Sequence, residues 1–105
     1  MDNETLHWAE TQARYYQTLT SPRRVLILYV LAEREMSVGE IAAKVGASMQ
    51  NTSQHLHLMK DRGILGSRRE RQTIFYFVAD QKLLSNMGLS SCTEVHKDLS
   101  MNRKP

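Results

Sequence analysis

The chain has 105 residues and a mass of 12.1 kDa, with 41% hydrophobic and 24% charged residues, and this size fits a single small domain. Its longest apolar run, Val25 to Ala32, is far shorter than the roughly 18 residues that span a bilayer, and its one cysteine, Cys92, excludes an internal disulfide framework. We therefore expect a cytoplasmic protein without membrane contact, and a core so thin that a second copy of the chain would help to stabilise it.

The positive charge is concentrated in the middle of the chain. The formal net charge is +3, but residues 44–72 hold six basic and two acidic side chains, a balance of +4, whereas residues 1–43 hold four basic and six acidic side chains, a balance of −2. A basic block in an otherwise neutral domain is typical of a nucleic-acid-binding face, although a solvated charged surface gives the same count.

Two helices are predicted in the first third of the chain. From Asn3 to Leu19 the apolar residues form two stripes, which are Leu6, Ala9, Ala13 and Tyr16, and Trp8, Tyr15 and Leu19. A terminal helix needs one stripe for the core of a monomer, so the stripe with Trp8 and Tyr15 either meets another subunit or is covered by the same domain. Ser21-Pro22 begins the second helix, which is apolar almost all round over residues 25–32 and is therefore predicted at the centre of the domain.

Two short helices joined by a glycine follow. A Ser-x-x-Glu capping box begins a helix over Val38–Val45, and Gly46 ends that helix. Ser48 then caps a fourth helix that runs to about Arg62. Two helices with this connection predict a helix-turn-helix.

Residues 64–78 have the pattern of a β-hairpin. The segment from Thr73 to Val78 is β-branched and aromatic, and the polar tip before it carries Arg68, Arg69 and Arg71. A hairpin directly after a helix-turn-helix is interpreted as a wing, whose arginines can reach the DNA backbone or an adjacent minor groove.

A last helix is predicted to begin at Asp80 and to end before Gly88. It presents three apolar residues, and together with two residues of the first helix these form the predicted dimer interface: Trp8, Tyr15, Leu83, Leu84 and Met87. Residues 1–88 are thus predicted to form the DNA-binding and dimerisation domain, and the polar residues 89–105 a mobile tail.

Four segments in this order and spacing resemble the ArsR/SmtB family of winged-helix repressors: residues 19–28, 36–42, 52–65 and 67–76. The resemblance covers nearly the whole chain up to Met87. It implies a mainly α-helical winged helix-turn-helix with a β-hairpin wing. It also implies a homodimer that binds double-stranded DNA at an operator and releases it on a signal, and the symmetry of such a dimer predicts an inverted-repeat operator.

The fourth helix can be interpreted without that resemblance. On a 3.6-residue period one of its faces carries Thr52, Leu56 and Met59, which are predicted to pack against Leu26, Tyr29 and Ile41. The outward side chains are hydrogen-bonding groups, namely Gln50, Asn51, Ser53, Gln54 and His57. Because amide side chains pair with adenine edges in the major groove, this face beside a basic wing favours DNA binding over a merely solvated surface.

The family's usual metal sites are not matched by this sequence. Ser37 and Gly39 stand where metal-sensing members carry thiol ligands, Lys82 breaks the zinc motif of the last helix, and Tyr29 replaces the first cysteine of the dithiol-sensing branch. Four tail residues could still hold a metal, although a solvated tail is favoured: Cys92, Glu94, His96 and Asp98. We expect no metal and no other cofactor.

Two other classes of protein fit the sequence less well. A winged-helix module for protein contacts is the alternative, but it gives no reason for the arginine-rich tip or the amide-rich helix face. An enzyme is not expected, because the sequence shows no activated nucleophile with a base, no glycine-rich phosphate loop and no paired carboxylates at useful spacing.

Overall fold

The structure, a computed structural model, describes residues 1–89 and contains helices and one small antiparallel sheet. The helices are α1 (Asn3–Gln17), α2 (Pro22–Leu31), α3 (Val38–Val45), α4 (Met49–Asp61) and α5 (Gln81–Asn86), with a 3-10 turn, Thr18–Thr20, between α1 and α2. The strands are β1 (Met36–Ser37), β2 (Leu65–Glu70) and β3 (Thr73–Val78), in the order β1-β3-β2. The predicted winged helix-turn-helix is confirmed. Apart from Leu89, which is buried, the predicted tail lies outside the described residues.

The helix starts follow from local hydrogen bonding. The side chain of Ser21 accepts a hydrogen bond from the backbone N–H of Arg24, and Pro22 occupies the first helical position, where no N–H is needed. The hydroxyl oxygen of Ser48 accepts from the N–H of Asn51 at 3.0 Å in the same way. Gly46 ends α3 with a φ of 71°, which only glycine adopts without strain.

Ser37 connects the sheet to α3. As the second residue of β1 it pairs with Phe75 of β3, and as the N-cap of α3 its hydroxyl accepts from the N–H of Glu40 at 3.3 Å. The Glu40 carboxylate accepts in turn from the N–H of Ser37 at 3.2 Å, which completes the predicted capping box. The sequence pattern predicts two strands but not β1, because a two-residue strand has no alternation and exists only through its pairing with β3.

The core lies between the helices and the inner face of the sheet. Ile27, Leu56 and Met59 are fully buried in one cluster, whereas Leu26 is 47% exposed. The predicted contact of Leu26 with α4 is therefore wrong. Because α2 is apolar almost all round, its periodicity did not identify the inward face, which Ile27 and Leu28 provide.

The wing is a tight hairpin with close packing at its base. Gly66 of β2 pairs with Phe77 of β3, and a Cβ added at Gly66 would lie 2.6 Å from the Phe77 ring. At the tip, the pair Glu70 and Thr73 leaves a two-residue turn whose first residue, Arg71, has a φ of 59°. The turn therefore holds a non-glycine residue in the left-handed region.

Candidate nucleic-acid interface

The outward face of α4 is polar, as predicted. Thr52, Leu56 and Met59 are buried on its inner face. The side chains predicted to contact DNA are all at the surface: Gln50, Asn51, Gln54 and His57 are exposed, and Ser53 is half-buried. This arrangement leaves amide donors and acceptors in the first turns of a helix of 13 residues, where they can hydrogen-bond to base edges.

The three arginines of the wing differ in their surroundings. Arg68 donates through Nε to the carboxylate of Glu35 and through a terminal nitrogen to Glu70 at 3.3 Å, and its guanidinium lies 4.8 Å from the centre of the Phe75 ring. Two carboxylates therefore offset its charge. The Nε of Arg69 donates instead to the backbone oxygen of Arg71 at 3.0 Å, and within residues 1–89 no carboxylate pairs with Arg69 or Arg71.

Two exposed apolar residues beside this face were not predicted from the sequence. Met49, the first residue of α4, is 60% exposed, and Ile74 of β3 is 42% exposed. Both line a cleft of about 430 Å³ between the first turn of α3, the first turn of α4 and the wing. The helical spacing gives the opposite signal for Met49, because positions 49, 52, 56 and 59 share one face of α4, yet Met49 is exposed at the first turn.

His55 lies on the flank of α4 that turns towards α2. Its Nδ1 accepts a hydrogen bond from Nε of Arg24 at 3.0 Å, and a terminal nitrogen of Arg24 donates to the backbone oxygen of Thr18 at 3.0 Å. Burial lowers the pKa of His55, and the positive charges of Arg24 and Arg23 lower it further. Arg24 is half-buried and links α2 to α4.

The residues of the predicted dimer interface differ in their exposure. Helix α1 has no buried residue: Trp8 is 61% exposed, and Leu6 and Tyr16 of the other predicted stripe are exposed too. Leu83 and Leu84 of α5 are instead buried within the same chain, so they offer no surface to a partner. This part of the prediction is wrong, because the six-residue α5 points both leucines into the core.

The other two predicted interface residues are half-buried. Met87 packs against the core, and so does Tyr15, whose hydroxyl donates to the carboxylate of Asp80. Burial and this hydrogen bond raise the pKa of Tyr15. Tyr15 thus connects α1 to the residue that caps α5.

The candidate metal ligands of the tail, Cys92 among them, lie outside the described residues. Within residues 1–89 no group of three His, Cys, Asp or Glu side chains is arranged to hold a metal ion. In the same part of the chain, none of the helices has the length and apolar character that crossing a membrane requires.

Comparisons with known proteins agree with this fold. Residues 21–67 match the family model described as bacterial regulatory protein, arsR family. The nodulation protein NolR of Rhizobium meliloti is 37% identical over 83 residues, which cover 79% of this chain and 68% of that protein. A biofilm growth-associated repressor of Agrobacterium fabrum is 39% identical over 66 residues, which cover 63% of this chain and 56% of the repressor. The crystal structure of NolR from Sinorhizobium fredii superimposes with a TM-score of 0.76 at 34% identity and covers 84% of this chain and 88% of its own.

Proposed function

The chain belongs to the arsR family of bacterial regulatory proteins, and we propose that this DNA-binding transcriptional regulator acts as a homodimeric repressor on an inverted-repeat operator. Relatives named as biofilm growth-associated repressors support repression, and one other relative is named a transcriptional activator. We assign it no catalytic activity.

The proposal rests on one observation: an amide-rich helix face lies next to an arginine-rich wing. The face of α4 exposes Gln50, Asn51 and Gln54, whose amides can distinguish bases. The wing beside it exposes Arg69 and Arg71, whose charges can bind phosphates of any sequence. Base recognition and phosphate binding are the two components of a sequence-specific DNA contact.

The homodimer is supported by the exposed apolar residues of α1. Trp8, Leu6 and Tyr16 expose at least half of their surface, although the domain is small and its core thin. A symmetric contact through the stripe of α1 that carries Trp8 would cover that side chain and place the two α4 helices about 34 Å apart, one turn of DNA. Such symmetry requires an operator with two inverted half-sites.

The proposal is tested by letting the purified full chain select fragments from its own genome and by footprinting the selected fragment. We expect protection of two inverted half-sites, and a reporter gene behind the fragment is expected to be less active when the protein is present. If random duplex DNA competes as well as the selected fragment, the alternative of a protein-contact module replaces the proposal.

Variants of α4 test the base contacts. We expect Gln50→Ala, Asn51→Ala or Gln54→Ala to weaken binding to the selected fragment by about 1–3 kcal/mol for each base that the removed amide recognises, and to relax sequence preference. Asn3→Ala removes an exposed amide from α1 and is the matched control. Equally weakened binding by the control would contradict the assignment of these amides to base recognition.

A further inference from the structure

Three arginines line one cleft on the side of the domain where α1, α2 and α4 meet. The cleft measures about 330 Å³ and is lined by Arg14 of α1, Arg24 of α2 and Arg62, the residue that caps the end of α4. Its other lining residues are Gln17, Thr18, Thr20 and Leu58, and none of these carries a negative charge. We call this site the arginine cleft.

None of the three charges is balanced by an ion pair within the described part of the chain, since Arg24 bonds only to His55 and to a backbone oxygen. Neither Arg14 nor Arg62 forms a salt bridge there, and the Nε of Arg62 is buried without an acceptor. Asp61 lines a neighbouring cleft together with both arginines but forms no ion pair with either. Since like charges on one cleft repel each other, an anion between them would lower the electrostatic energy of the fold.

The third arginine is held in position. Arg24 uses one N–H to bond Nδ1 of His55 and another to bond the backbone oxygen of Thr18. A guanidinium has five N–H donors, so about three remain for a ligand. A planar guanidinium fixed in this way loses little freedom on binding, and its fork of donors matches the oxygens of a phosphate group.

We propose that the arginine cleft binds a phosphate group. The dense positive charge and the fixed guanidinium fit a phosphate oxyanion, whether it is a backbone phosphate of bound DNA or a phosphate of a free small molecule. Leu58 of the cleft lies on the same helix as Gln50 and Gln54, and Arg62 caps the opposite end of that helix, so a backbone phosphate reaches the cleft only if the duplex extends along α4. Binding of a DNA backbone phosphate in the cleft rests on the proposed function, whereas binding of a free phosphorylated molecule does not.

Thermal unfolding of the full chain tests the site itself. Inorganic phosphate, compared with sodium chloride at equal ionic strength, is expected to raise the Tm of the wild type by several degrees, because binding to the folded state stabilises it. Arg14→Gln and Arg62→Gln are expected to lose most of that rise. Lys60→Gln removes a charge from the same helix outside the cleft and is expected to keep it.

Salt titration of binding to mixed-sequence duplex DNA identifies the source. If a backbone phosphate occupies the cleft, Arg14→Gln and Arg62→Gln each make the negative slope of log K against log salt shallower by about 0.9. Lys60→Gln leaves the slope unchanged. Phosphate-dependent stabilisation with an unchanged slope assigns the site to a free phosphorylated molecule. An equal rise in Tm in all four proteins, together with equal slopes, overturns the proposal, because generic salt exclusion acts on all of them alike. A wild type that does not bind DNA overturns the proposed function, and the Tm comparison then decides the phosphate site alone.

Discussion

Nδ1 of His55 accepts a hydrogen bond from Nε of Arg24 at 3.0 Å, and this contact connects α4 to α2. A ring nitrogen that accepts a hydrogen bond carries no proton, so the fold selects the neutral form of His55. Burial and the neighbouring charges of Arg24 and Arg23 act in the same direction and lower the pKa of His55. The two observations predict how stability depends on pH.

Acidification is expected to destabilise the protein through His55. Its pKa is lower in the folded than in the unfolded chain, so the unfolded chain binds more protons as the pH falls below the unfolded value of about 6.5. The free energy of unfolding should therefore fall as the pH decreases from there through the folded pKa, and the contribution is fully present above the unfolded value. Urea unfolding between about pH 5 and pH 7.5 measures it.

His55→Asn keeps an acceptor for Arg24 but does not titrate, so its stability should depend less steeply on pH than that of the wild type. His57→Asn changes an exposed histidine two residues away and is the matched control. A pH dependence of His55→Asn as steep as that of the wild type would show that another group causes the acid destabilisation.

The wing arginines are expected to contribute unequally to DNA binding. Arg69→Gln or Arg71→Gln should lower the salt slope of binding by about 0.9 for each phosphate that is no longer neutralised, whereas Arg68→Gln should lower it less, because Glu35 and Glu70 already offset that charge. Titrations on random duplex DNA measure the three slopes. Glu35→Gln is the converse test, since it removes one of the two carboxylates that offset Arg68 and should strengthen binding. Equal reductions from all three arginines would restore the simpler prediction made from the sequence.

Trp8 is expected to contribute to a dimer contact. Trp8→Ala removes a large exposed apolar side chain from α1, and we expect the dimer Kd from sedimentation to rise at least about tenfold, as for a buried aromatic anchor of an interface. Met49→Ala shortens an equally exposed apolar residue beside the DNA-facing surface and should leave the Kd unchanged. A wild type that is monomeric at micromolar concentration would refute the dimer.

Two glycines are expected to respond in opposite ways to alanine. Gly66→Ala places a methyl group 2.6 Å from the Phe77 ring, so the ring or the strand must move, and we expect a loss of about 1–3 kcal/mol in the free energy of unfolding. At Gly39 of α3 nothing lies within 4 Å of the added atom, and Gly39→Ala should stabilise the helix by about 0.5 kcal/mol. Denaturant unfolding of both variants measures the difference, and destabilisation by Gly39→Ala would contradict it.

Local signals in the sequence predicted most of the secondary structure. The starts of α2, α3 and α4 depend on the serines at 21, 37 and 48, which bond to backbone groups three residues away. The polar face of α4 likewise follows from the spacing of a single helix. Interactions within one turn of helix are visible in a single sequence, because both partners are close along the chain.

The features that were missed depend on residues far apart along the chain. The Arg68–Glu35 ion pair spans 33 positions and the Arg24–His55 contact 31, and neither pairing has a local pattern. Ile27 rather than Leu26 faces the core, which depends on how α2 is rotated in the assembled domain. The sequence predicts that Arg68 binds phosphate like the other wing arginines. In the structure its charge is offset by Glu35, which lies outside the wing in sequence.

The double role of Ser37 has a mechanical consequence. Because the same residue pairs with β3 and caps α3, the wing and the helix-turn-helix are joined without a flexible linker. The wing is then already ordered in the folded protein, so its backbone loses little further entropy when the protein binds a duplex. The distance between α4 and the wing tip is therefore set by the protein, so if both contact an operator as proposed, a mismatch with the helical repeat must be absorbed by bending or twisting of the DNA.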